Sequence, residues 1–82
     1  MDKRKAKIFL NTIARVKTFA QKVMDFECDI DILVGRYVID AKSIMGIFSL
    51  NLSQELLVEI HSDNEDEIRR FNEIMEDFKW WM

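Results

Sequence analysis

Residues 29–50 read DIDILVGRYVIDAKSIMGIFSL and contain the most informative pattern in the chain. Aspartates and isoleucines alternate over the first four positions, which predicts a strand with one buried face. The apolar pattern resumes after Gly35-Arg36, and a two-residue interruption with Gly is typical of a tight β-hairpin. Ser43 is a good N-cap before an apolar run, so we expect a short helix within residues 42–50. Asn51 tolerates a left-handed backbone and is expected to end that helix.

A strand and a longer helix are predicted before this segment. Residues 7–10 form a short apolar run that predicts the first strand. Asn11 or Thr12 can cap the helix that follows. The apolar stripe of this helix has the i, i+3, i+4, i+7, i+8 spacing and consists of Val16, Phe19, Ala20, Val23 and Met24.

A strand and a helix are also predicted after it. Leu56, Val58 and Ile60 alternate with other residues, which predicts a fourth strand. Ser62 and Glu65 have the spacing of a capping box, in which the two side chains bond to free N–H groups at a helix start. The final amphipathic helix is expected to present Ile68, Phe71, Met75 and Phe78 to the core.

The predicted element order is β-α-β-β-α-β-α, without a repeated βαβ period. This order favours an α+β fold, with three helices on one face of a four-stranded, mostly antiparallel sheet. The chain has 82 residues, which is the size of one domain, and we therefore expect residues 1–82 to form a single unit.

The charge distribution argues against a nucleic-acid-binding protein. The chain has 12 Lys+Arg against 15 Asp+Glu, a net charge of −3. Its first seven residues are basic and could meet a phosphate or an acidic partner, although a solvated terminus is the simpler interpretation. Grooves that bind nucleic acid need more positive charge interleaved with aromatic residues. We therefore expect no direct nucleic-acid partner.

Several other classes of protein are also not expected. No apolar run approaches the roughly 18–20 residues that cross a bilayer, and the N-terminal apolar run is too short for a signal peptide. The single Cys28 cannot form an internal disulfide, which favours the cytoplasm. The chain contains no zinc-type spacing, no Gly-rich phosphate loop and no catalytic triad. We expect no metal, no cofactor and no enzymatic activity.

Residues 40–46 resemble HPr, the small phosphocarrier of the bacterial sugar phosphotransferase system. The segment reads Asp40-Ala41-Lys42-Ser43-Ile44-Met45-Gly46, and Gly35 in the hairpin and Phe26 after the first long helix support the resemblance. The match extends from about Ile13 to about Phe78. It implies the HPr-like open-faced β-sandwich.

The active-site motif of HPr is not preserved. In the family, a His-Ala-Arg-Pro segment begins the first helix, and its His accepts phosphate from the phosphoenolpyruvate-dependent enzyme. Here the segment is Thr12-Ile13-Ala14-Arg15, with Thr12 at the His position. Imidazole offers an unprotonated nitrogen at neutral pH, whereas a Thr hydroxyl needs a nearby base. The usual phosphocarrier activity is therefore not expected, and Arg15 is the residue that could substitute for the family's phosphate-binding Arg.

The regulatory half of the family pattern remains. The chain resembles the catabolite-repression branch of HPr, which lacks the catalytic His and keeps a regulatory Ser, here Ser43. Lys42 adds positive charge beside it, and Ile44, Met45 and Phe48 are expected to form an exposed apolar patch. The resemblance implies HPr kinase, the catabolite control repressor or phosphotransferase enzymes as partners.

Other interpretations remain open. Ser43 can be a plain N-cap in a diverged HPr fold that serves as an interaction module without phosphorylation. The chain can also be an atypical phosphocarrier that accepts phosphate on Thr12 or on His61, its only His. Trp80 and Trp81 either fold over the core or contact a partner, such as a second copy in a homodimer.

Overall fold

A computed structural model of the protein describes residues 2–80. The predicted order of elements is confirmed. They are β1 (Lys5–Ile8), α1 (Ile13–Val23), β2 (Asp29–Val34), β3 (Tyr37–Asp40), α2 (Ile44–Phe48), β4 (Leu56–His61) and α3 (Glu65–Glu76).

The four strands form one sheet in the order β1-β4-β2-β3, and every neighbouring pair is antiparallel. Ile32 occupies its centre, opposite Val58 on one side and Ile39 on the other. Because alternate residues of a strand face opposite sides, one face of the sheet is apolar and lies under the helices. The other face carries charged residues of β1, β2 and β4. The predicted α+β fold, an antiparallel sheet with three helices on one face, is confirmed.

The core lies between the apolar sheet face and the stripes of α1 and α3. Val16, Phe19 and Val23 of α1 have no exposed surface, and neither do Phe71 and Met75 of α3. The buried strand residues are Ala6, Ile8, Ile30, Ile32, Leu56, Val58 and Ile60. Full burial of such side chains contributes roughly 1.5–3 kcal/mol each, so this layer is the main source of stability.

The hairpin between β2 and β3 turns at Gly35-Arg36, as predicted. Gly35 has φ +56°, and among residues 2–80 it alone has a positive φ. A positive φ at the first central position is typical of the type II′ turn, which Gly adopts without steric cost. The turn therefore sets the register in which Val34 pairs with Tyr37.

Two predictions at the N-terminal side need correction. β1 spans residues 5–8 instead of 7–10, because the pairing with β4 begins at Lys5 and Leu10 enters the core from the loop. Met24 was expected in the buried stripe but is 59% exposed. It is the C-cap of α1, where the chain leaves the helix.

The ends of α2 and α3 also differ from expectation. α2 is shorter than residues 42–50, its C-cap is Ser49, and Asn51 has no left-handed backbone. The N-cap of α3 is Asn64, whose side chain accepts the Glu67 N–H, so the helix begins two residues later than predicted. The predicted capping box of Ser62 and Glu65 is wrong, because the Asn64 N–H donates to the Ser62 hydroxyl instead of to a Glu side chain.

Two further contacts stabilise α3 and the segment that follows it. Ser62 supports the cap from outside the helix by donating its hydroxyl to Glu67 at 2.8 Å. Phe78 is buried as predicted but lies beyond the end of α3, where its ring meets Phe19 edge-on at 5.6 Å. Across residues 2–80, no helix has the length and apolar character needed to span a membrane.

Candidate functional site

Ser43 begins α2, as the sequence predicts. Its backbone is extended, and its Oγ accepts the Gly46 N–H at 3.1 Å. This bond satisfies one of the N–H groups that a helix leaves without an internal partner. The hydroxyl of Ser43 thus lies at the start of the helix that carries the predicted patch.

Gly46 is required by the close approach of α2 to β3. A Cβ atom at this position would lie 2.9 Å from Cγ2 of Ile39 and 3.2 Å from Oγ of Ser43. Ile39 packs against the core, so its methyl group has little room to move. No structural role was predicted for Gly46, although a Gly inside a short helix is the signal for such a contact.

The side chain of Lys42 bonds to the connection between α1 and β2, away from Ser43. Its Nζ donates to the carbonyl oxygen of Phe26 at 2.6 Å, and its backbone N–H donates to Asp40 Oδ1 at 2.9 Å. Arg70 lies over the ring of Phe26, with 4.0 Å between the guanidinium carbon and the ring centroid. Lys42 therefore ties the start of α2 to the connection between α1 and β2.

The residues predicted to form an apolar patch differ in exposure. Met45 is 82% exposed and Phe48 is 39% exposed, whereas Ile44 is half-buried. Ile47 is fully buried and anchors the helix. We call the group of Ile44, Met45 and Phe48 the α2 patch.

Thr12 is the N-cap of α1, and its Oγ1 accepts the Arg15 N–H at 3.1 Å. Thr12, Ile13 and Ala14 are all exposed, so the segment expected to correspond to the active-site motif lies on the surface at a helix start. α1 and α2 are in contact with each other. The fold therefore places the Thr12 and Ser43 helices side by side.

The side chain of Arg15 is directed to the chain end. Its guanidinium donates to the carbonyl oxygen of Phe9 through Nε at 3.2 Å and Nη2 at 2.9 Å, and through Nη2 to that of Trp80 at 3.1 Å. It also lies 5.3 Å from the centroid of the Phe78 ring. Arg15 thus joins the loop before α1 to the segment after α3, a contact that the sequence does not predict because the acceptors are backbone atoms.

His61 is far from Thr12. It ends β4 on the charged face of the sheet, where Nε2 lies 2.8 Å from Asp31 Oδ2 and 3.9 Å from Glu59 Oε1. Leu56, at the other end of β4, lies beside the end of β1 that leads to Thr12. Five residues of strand span about 16 Å, so His61 and Thr12 do not form one site within a chain.

The remaining candidates are less informative. Trp80 is 70% exposed, and Trp81 lies outside the described residues. Cys28 is a half-buried free thiol, and burial followed by the charge of Glu67 raises its pKa. Within residues 2–80, no cluster of three His, Cys, Asp or Glu side chains is arranged to hold a metal ion.

Comparisons with known proteins agree with the fold. HPr from Thermoanaerobacter tengcongensis has a TM-score of 0.70 at 25% identity, covering 94% of this chain and 93% of its own. HPr from Bacillus anthracis has a TM-score of 0.64 at 22% identity and 90% and 94% coverage. The catabolite repression protein Crh of Bacillus subtilis, described as a domain-swapped dimer, has a TM-score of 0.63 at 22% identity and 93% and 90% coverage.

Family membership follows from the sequence comparison. A search of curated proteins finds no match. The model of the HPr family, described as the PTS HPr component phosphorylation site, matches residues 3–79. This match covers nearly the whole chain, and the chain belongs to the HPr family of the bacterial phosphotransferase system.

Proposed function

We propose that this chain is a regulatory member of the HPr family that is phosphorylated on Ser43 and binds partner proteins through the α2 patch. The observation that carries the proposal is the position of Ser43 at the start of the same helix that exposes 82% of Met45. A phosphate on Ser43 would add about two negative charges and three acceptor oxygens directly beside that apolar surface. Phosphorylation would therefore change the charge of the binding surface itself.

The residues at the start of α1 also support a regulatory role. Thr12 carries a hydroxyl that needs a base to act as a nucleophile. Its Oγ1 accepts a backbone N–H, and the Arg15 guanidinium is held by two backbone carbonyls. This arrangement stabilises the helix start and provides neither the nucleophile nor the cation of a phosphohistidine relay. The proposed role is accordingly that of a non-enzymatic regulator in the cytoplasm.

Phosphorylation is tested by intact-mass measurement with two phosphoryl donors. One sample contains ATP and HPr kinase, and the other contains phosphoenolpyruvate and enzyme I. We expect a single phosphate adduct from ATP and none from phosphoenolpyruvate. Ser43→Asn retains an N-cap side chain but has no hydroxyl, so it is expected to lose the adduct. Ser49→Ala, at the other end of α2, is expected to keep it.

Each contrary result identifies another function. If neither donor modifies the folded chain, the protein is an interaction module of the HPr fold without phosphorylation. An acid-labile adduct from phosphoenolpyruvate would show an atypical phosphocarrier, and Thr12→Val or His61→Gln would identify the acceptor.

Docking is tested with two exposed methionines. Met45→Glu is expected to weaken binding of the Ser43-phosphorylated chain to the catabolite control repressor by at least about tenfold, because a charge at the centre of an apolar contact is costly. Met24→Glu is the matched control, since Met24 is also exposed but lies outside the α2 patch. Equal effects of the two substitutions on calorimetric titrations would contradict docking through the patch.

A further inference from the structure

The outer edge of β3 is open. β3 is the last strand in the order β1-β4-β2-β3, and within residues 2–80 no strand pairs with its far side. The Ala41 N–H donates to the Ile30 carbonyl of β2 at 2.9 Å. Since backbone groups alternate in direction along a strand, odd-numbered residues of β3 bond toward β2. The N–H groups of Val38 and Asp40 therefore point away from the sheet.

The two edge strands of the sheet differ in their side chains. Lys5 and Lys7 lie on β1, and lysines on an edge prevent another strand from pairing with it. β3 has neither Lys nor Pro, and it exposes 70% of Tyr37 and 63% of Val38. An edge of this kind is a template for a further strand.

A second copy of β3 fits this edge in one antiparallel register with complementary charges. When Val38 lies opposite Val38 of the partner subunit, Arg36 lies opposite Asp40 of the partner subunit, and two-fold symmetry repeats the pair. A shift by two residues in one direction places Arg36 opposite Lys42 of the partner subunit. A shift in the other direction places it opposite Val38 of the partner subunit.

Within the described part of one chain, the charged residues at this edge form no ion pair with an opposite charge. Asp40 lies opposite Asp31 in the β2–β3 register, and like charges opposite each other on neighbouring strands are destabilising. Within residues 2–80, neither Asp40 nor Arg36 takes part in a salt bridge. The Asp40 carboxylate is held at the edge by the Lys42 N–H. Pairing with a second copy gives both charged residues an opposite charge.

We infer that two copies of this chain associate through β3 in an antiparallel pair with Val38 on the two-fold axis, which makes one eight-stranded sheet. Five residues on each side form a small contact, below the size typical of permanent dimers. The association is therefore weak and depends on concentration. It is distinct from contacts of the α2 patch and of Trp80, which lie outside β3.

Cysteine cross-linking tests the register. Hydrogen-bonded antiparallel partners have Cα atoms about 5.5 Å apart, within the range of about 4.4–6.8 Å that a disulfide spans. Val38→Cys in a Cys28→Ser background is expected to form a covalent dimer on mild oxidation. Tyr37→Cys is the control, because Tyr37 lies opposite Ile39 of the partner subunit and the two introduced thiols are displaced by two residues. Equal cross-linking of both variants, or none at Val38→Cys, would overturn the proposal.

Charge reversal tests the pairing by sedimentation equilibrium. Arg36→Glu alone and Asp40→Lys alone each place like charges opposite each other, so each is expected to weaken self-association by about 10- to 30-fold. An equimolar mixture of the two variants restores opposite charges in both pairs and is expected to associate about as well as the wild type. The mixture also shows that both variants are folded. Unchanged association of Arg36→Glu, or no recovery in the mixture, would refute the proposal.

Discussion

Replacing Gly46 by Ala sets two effects of opposite sign against each other. Ala stabilises a helix interior by about 1 kcal/mol relative to Gly. The new Cβ, however, would lie 2.9 Å from Ile39 Cγ2 and 3.2 Å from Ser43 Oγ. Overpacking of a filled contact costs roughly 1–3 kcal/mol, and a displaced Ser cap costs about 1 kcal/mol more. We expect the unfavourable terms to prevail, with a net loss of about 1–3 kcal/mol of unfolding free energy.

A double-mutant cycle measured by urea unfolding and far-UV circular dichroism identifies the cause. Ile39→Ala removes the methyl group that Gly46→Ala would meet, so Gly46→Ala should cost much less in that background. A coupling energy of about 1 kcal/mol between the two positions is expected, as for residues in direct contact. Stabilisation by Gly46→Ala alone, or additive effects of the two substitutions, would refute the steric explanation.

Three further outcomes are expected. Arg15→Ala should lower the unfolding free energy by about 2 kcal/mol, because it leaves two backbone carbonyls without a charged donor, and Arg15→Lys should recover only part of this loss. Lys42→Met should lower it by about 1.5 kcal/mol through loss of the bond to the Phe26 carbonyl. Cys28 should react with a disulfide reagent at pH 8 more slowly than a free cysteine, because burial and then the Glu67 charge raise its pKa, and Glu67→Gln should accelerate the reaction.

These outcomes have matched controls. Lys17, an exposed residue of α1, is the control for loss of a positive charge, and an equal effect of Lys17→Ala would contradict the Arg15 prediction. For Lys42, an unchanged urea midpoint in Lys42→Met would show that its bond contributes nothing.

The raised pKa of Cys28 also makes the stability of the fold depend on pH. The pKa of the folded thiol is raised, so the unfolded chain loses its thiol proton first as the pH rises. The contribution of Cys28 to stability is therefore fully present below the unfolded pKa of about 8.5, and it is lost as the pH rises from there through the higher folded pKa. A reaction rate equal to that of free cysteine would contradict both expectations.

Local patterns were sufficient for most of the architecture. The alternation of Leu56, Val58 and Ile60 predicts the buried face of β4, and Gly35 predicts the hairpin turn. Both predictions depend on neighbours in sequence, where strand periodicity and turn geometry act directly. Helix and strand ends were predicted less well. Asn64 is the cap of α3 instead of Ser62; both residue types are good caps, so cap preference alone does not distinguish between them.

The candidate site likewise contains features that the sequence predicts and contacts that only the fold creates. The sequence alone determined that Thr12 carries no imidazole and that Ser43 caps a short helix, because these depend on residue chemistry and on which residue types cap helices. Only the tertiary structure determined which groups the Arg15 and Lys42 side chains bind. Arg15 bonds to Phe9 and Trp80, which is 65 residues away, and Lys42 bonds to Phe26. Their acceptors are main-chain carbonyls, which every residue carries, so no side-chain pattern can reveal them before the chain is folded.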